Sequence, residues 1–75
     1  MTILTIKAND LIFKLPYNSV TIRLARYSKI VSHPYVSQGR KDQARLFLSE
    51  IIKSPVDTYE DEVVNLSTEL FYMLS

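Results

Sequence analysis

The chain has 75 residues, 47% hydrophobic and 23% charged, with one glycine, one histidine, no cysteine and a formal net charge of +1. That is a single domain near the lower size at which a core outweighs chain entropy without staples. The composition excludes a disordered tail, a disulfide framework, thiolate zinc sites and cysteine nucleophiles.

The near-zero total hides an asymmetry. Residues 1–53 carry all nine basic side chains against three acids, a net of +6, whereas residues 54–75 carry five acids and no base, −5. Either the two halves attract each other inside the fold, or they face charged partners.

Residues 2–7, TILTIK, and 11–17, LIFKLPY, are rich in β-branched and aromatic residues and flank AND, whose Asn9 and Asp10 suit a turn. A hairpin over 2–17 follows. Leu11, Phe13 and Leu15 then share one face, Ile12 and Lys14 the other, and Pro16 ends the ladder or lies at an edge. The segment lacks the basic start and long apolar stretch of a signal peptide, and Lys7 and Asp10 interrupt it early. No apolar run approaches the roughly 18–20 residues that cross a bilayer, so the expected setting is cytoplasmic, away from membranes.

Two periods compete over 20–31. Val20, Ile22 and Leu24 alternate as in a strand, while Val20, Leu24, Tyr27 and Val31 recur as on a helix. The good helix formers Leu, Ala, Arg and Lys, and a cap at Asn18 or Ser19, favour helix. His33 before Pro34 marks the stop.

The clearest helical period is at 40–53, where Ala44, Phe47, Leu48, Ile51 and Ile52 form one apolar stripe. Lys53 complements the negative end of that helix dipole, but Arg40 and Lys41 sit at its positive end, where a dipole gives them no reason to be. A final helix is expected over 57–74. Asp57 would cap it with Glu60 as capping-box partner, and Glu60, Asp61 and Glu62 suit its positive end. Val63, Leu66, Leu70, Met73 and Leu74 make its core stripe; Val64, Phe71 and Tyr72 point elsewhere. The architecture is therefore α+β, a small N-terminal hairpin packed against two or three helices in one domain spanning 1–75.

No catalytic constellation is present. The single His33 cannot by itself build a metal site, its neighbour Ser32 is not thereby a nucleophile, and Gly39 alone makes no phosphate loop. Neither a cofactor nor a metal ion is expected, and enzyme activity is not. What remains is a small non-enzymatic protein-binding module, of the regulator, inhibitor or assembly-factor type often carried by phages and plasmids. Arg26, Arg40, Lys41 and Arg45 would steer it to an acidic protein surface, with Tyr27, Phe71 and Tyr72 as anchors. The hairpin offers an open edge for strand addition, and the last helix offers a homodimer interface. The competing reading is a nucleic-acid-binding regulator, in which Arg23, Arg26 and Lys29, three residues apart, join Arg40, Lys41 and Arg45 in neutralising phosphates.

Overall fold

The computed structural model describes residues 2–74. A two-stranded antiparallel hairpin packs against three helices, an α+β fold. Strands β1 (Ile3–Ala8) and β2 (Leu11–Pro16) are joined by Asn9 and Asp10. Two-residue hairpin loops need a positive φ at their first position to match strand twist. Asn9 supplies it, with φ of 58°. The register places Leu4 opposite Leu15, Ile6 opposite Phe13 and Ala8 opposite Leu11. These pairs face the helices, and Ile6, Ala8 and Leu15 are buried. Leu11 shares their side but remains 49% exposed, because it adjoins the turn at the far end of the sheet.

The ambiguous third segment is helix α1 (Ser19–Val31). Its start is decided by local hydrogen bonds. The Asn18 side-chain oxygen accepts from the Thr21 amide at 2.9 Å, and the Thr21 hydroxyl oxygen accepts from the Asn18 amide at 3.0 Å. This reciprocal cap satisfies two amides that would otherwise lack partners. Thr21 is fully buried, and its hydroxyl donates to the Pro16 carbonyl at 2.7 Å, so one side chain ties the end of β2 to the start of α1.

Helix α2 (Gln38–Lys53) begins two residues before Arg40, because Ser37 caps it by accepting from the Arg40 amide at 3.4 Å. Ala44, Leu48 and Ile51 are buried and Phe47 half-buried, whereas Ile52 lies at the rim, 37% exposed.

Helix α3 (Asp61–Leu74) starts later than residue 57. Asp57 does not cap it. The Thr58 amide donates to the Pro55 carbonyl at 3.2 Å, and Asp57, third in that turn, has φ of 71°, the signature of a type II turn. The first helical bonds run instead from the Val63 and Val64 amides to the Glu60 carbonyl. Asp61 and Glu62 keep their favourable place in the first turn. Val63, Leu66, Leu70 and Leu74 are buried as the stripe requires, joined by Ser67, but Met73 is 39% exposed. Helix α3 is the hub, packing on α1, α2 and both strands.

Candidate binding surface

Among the described residues one ion pair forms, Arg45 with Asp42, and both lie on α2 within the basic half of the chain, so no ion pair joins the two halves. Mutual attraction of the halves through direct pairs therefore does not account for the charge asymmetry. Gln38, whose amide donates to Asp42 at 3.1 Å, and the Arg45 guanidinium together hold the Asp42 carboxyl below its ordinary range. Arg45 also donates to the Leu74 carbonyl at 3.1 Å, satisfying an orphan acceptor at the end of α3. Its charge is used within the fold.

The chain path gives the asymmetry a direction. β2 ends at Pro16 and α1 starts at Ser19, so α1 doubles back along the hairpin, running with β1. The starts of α1 and α3 meet in a cleft that includes Asn18, Val20, Tyr59 and Glu60. The end of α1 meets the start of α2 at the opposite pole, where Lys29 and His33 come beside Arg40.

Two open grooves adjoin at that pole. The first, about 400 Å³, runs between the end of α1, the connection through Tyr35 and Val36, and Arg40 in the first turn of α2. The second, about 590 Å³, lies between β1 and α1, with Leu4, Thr5, Ile6 and Lys7 on one side and Ala25, Ser28, Lys29 and Ser32 on the other. Lys29 and His33 line both, so the two grooves adjoin at these residues. Lys29 and Arg40 bring two positive charges, Lys7 contributes the edge of its strand while its side chain belongs to the outer face of the sheet, and among the described residues no carboxylate lines either groove. The His33 Nδ1 accepts from the Tyr35 amide at 3.3 Å and the two rings meet edge to face at 6.2 Å. This contact shapes the connection while Tyr35 itself stays 88% exposed. The lining offers ammonium, guanidinium, imidazole and hydroxyl groups on an open, concave surface.

The residues singled out by sequence are distributed over five places. Arg23 and Tyr27 share the α1–α2 seam, where the Arg23 guanidinium carbon lies 5.1 Å from the Phe47 ring centre and Tyr27 meets Phe47 edge-on at 5.6 Å. Arg40 lines the first groove, with Lys41, half-buried, next to it in the chain. Arg45 joins α2 to α3. Phe71 is half-buried against the core and meets the 70% exposed Tyr72 edge-on. Arg26 is exposed and lines none of these grooves. The row Arg23, Arg26, Lys29 does not stay on one face. Three residues fall short of a helical turn by about 60°, so Arg23 reaches the α2 side and Lys29 the β1 groove.

Sequence reasoning missed Lys7, Lys29 and His33 as one group, since they are distant in the chain and meet only because α1 runs beside β1. The available signal was the open hairpin edge followed by a helix with small residues at 25, 28 and 32. Among the described residues no group of three or more His, Asp or Glu could hold a metal ion, and no helix is long and apolar enough to cross a membrane. No family model, curated protein or solved structure matches the chain.

Proposed function

We propose that this chain is a non-enzymatic protein-binding module that docks its basic pole on an acidic surface of a larger protein and modulates it. The observation that carries the reading is the adjoining pair of grooves lined by Lys29 and Arg40, with Lys7 on the strand edge, and by no carboxylate among the described residues. Unpaired charges of one sign in a concave surface raise the encounter rate with an oppositely charged partner and fix its orientation. The exposed Tyr35 beside them is the residue type that supplies residence time. The exposed Tyr72 and Met73 at the end of α3 support a homodimer built on that helix.

The test is a comparison of the chain with a Lys29→Glu/Arg40→Glu variant as affinity bait, after circular dichroism has shown both folded. Partners identified with the first and lost with the second support the reading; identical partner sets refute it. The same basic grooves and exposed Tyr35 favour, as a second reading, a nucleic-acid-binding regulator. Retention on heparin separates the two, because several phosphate contacts hold a protein well above about 0.1 M salt. Release below that concentration removes the second reading.

A further inference from the structure

We infer that the groove between β1 and α1 accepts an extended acidic peptide segment of the partner protein as a third strand of the sheet. This deepens the protein-binding reading and rests on it. The backbone parity of the hairpin leads to it. The Tyr17 amide donates to the Thr2 carbonyl at 3.2 Å, and residues 2 and 17 continue the register of the ladder, so they form a hydrogen-bonded pair. Such pairs alternate with non-bonded ones along an antiparallel ladder. The amides and carbonyls of Leu4, Ile6 and Ala8 consequently point at β2, and those of Ile3, Thr5 and Lys7 point away from it. Among the described residues the sheet has two strands. Among the described residues nothing takes the outward amides and carbonyls of Thr5 and Lys7.

An open strand edge is ordinarily blunted or covered. Here it forms a wall of the groove, since four consecutive strand residues, Leu4 to Lys7, line it. The opposite wall is one face of α1, on which Ala25, Ser28 and Ser32 are small enough to leave room for a chain beside the strand. Neighbouring strands lie about 4.8 Å apart, so a peptide seated at the edge lies between β1 and this face. α1 runs with β1, so Lys7, Lys29 and His33 gather at the hairpin-turn end of the groove, while Leu4 and Ala25 mark the apolar end. Charge complementarity therefore assigns acidic side chains to the turn end and apolar, β-branched ones to the other.

The other edge of the sheet is a poorer acceptor. Its groove against α3 is smaller, about 380 Å³, and carries Glu69. Its strand ends in Pro16, which has no amide and whose carbonyl already accepts from Thr21.

Parity also supplies the test. Thr5 and Lys14 are directly opposite in the ladder, and both are outward-pointing residues, one on each edge. Thr5→Pro removes an amide from the β1 edge, and Lys14→Pro removes one from the β2 edge; neither deletes a hairpin hydrogen bond. The probe is a pool of octapeptides with Val, Ile, Thr or Tyr at alternate positions and two aspartates at one end. It is read by amide chemical shifts and hydrogen exchange of the full chain. The expected result is binding with exchange slowed at Thr5 and Lys7 but not at Leu4 or Ile6. Thr5→Pro should weaken it about tenfold, the loss of one or two backbone hydrogen bonds, and Lys14→Pro should leave it unchanged. Binding that Thr5→Pro leaves intact, or protection confined to the start of α2, overturns strand addition and leaves the protein-binding reading standing. A pool that does not bind also overturns strand addition, and a twelve-nucleotide DNA that binds more tightly than any peptide overturns both. Exchange slowed at Thr5 and Lys7 by raising protein concentration alone overturns it in favour of a second copy pairing through β1.

Discussion

Asn9 and Asp57 both hold a left-handed backbone, with φ of 58° and 71°, and neither is glycine. Asparagine tolerates that region through local hydrogen bonding, whereas a β-branched side chain is strained there by about 1–2 kcal/mol. Asn9→Val should therefore lower unfolding free energy by about that amount in urea titration, with Asn9→Gly close to neutral. At Asp57 a type II turn favours glycine, so Asp57→Gly should raise stability by about 0.5 kcal/mol, visible as a higher Tm. Had Asp57 capped α3, the same change would have cost only a few tenths of a kcal/mol and lowered the Tm. Thr21 is the most consequential polar residue of the fold, because its buried hydroxyl serves both the Asn18 amide and the Pro16 carbonyl. Thr21→Val keeps its shape and strands both groups. A loss of about 2–3 kcal/mol is expected in denaturant unfolding.

The helices differ in what holds their ends. α1 closes itself with Asn18 and Thr21, but the end of α3 depends on a side chain from another element, the Arg45 guanidinium on the Leu74 carbonyl. Arg45→Met should speed amide exchange in the last turn of α3 while leaving α1 protected, because it removes that donor and keeps most of the apolar stem. Arg45 is held in place by Asp42, which Gln38 and Arg45 keep ionised below the usual carboxylate range. The folded pKa being lower than the unfolded one, ionised Asp42 favours the fold above the unfolded value. That contribution fades as pH falls through the folded value. Asp42→Asn should accordingly lower the Tm at about pH 7, and the difference from the parent chain should shrink as pH falls through the folded value. The group is exposed, so a small difference is expected.

At the scale of the molecule, 5335 Å² of accessible surface exceeds the roughly 4,700 Å² typical of a folded monomer of 8.7 kDa. The excess belongs with the thin sheet, whose outer face leaves Ile3 and Ile12 more than half exposed, and with Tyr35, Leu46, Val56 and Tyr72. A core this small has little reserve. Leu66 and Leu70 are fully buried on the hub helix, and replacing either by alanine removes about 3–4 kcal/mol. A domain of this length holds only about 4–11 kcal/mol in total. Leu70→Ala should therefore leave a measurable unfolded fraction at 37 °C by circular dichroism. If the exposed end of α3 joins two copies, light scattering should give twice the chain mass, and Tyr72→Asp should return it to a monomer without loss of helicity.

Much of this fold is legible in the chain because its causes are local. Alternation marks the hairpin, and the period of Ala44, Leu48 and Ile51 marks α2. The polar caps at Asn18 and Ser37 set two of the three helix starts. Where tertiary geometry intervened, the local signals were insufficient: the turn at Pro55–Thr58 took Asp57 away from α3, and Leu11, Ile52 and Met73 stay at the rim of the core. The sequence by itself determined that basic side chains come early and acidic ones late. Which of those bases act together was decided only by the path of the chain. A helix doubling back along its own hairpin brings Lys7, Lys29 and His33 to one groove, because proximity in space follows the direction in which elements run and not their separation in sequence.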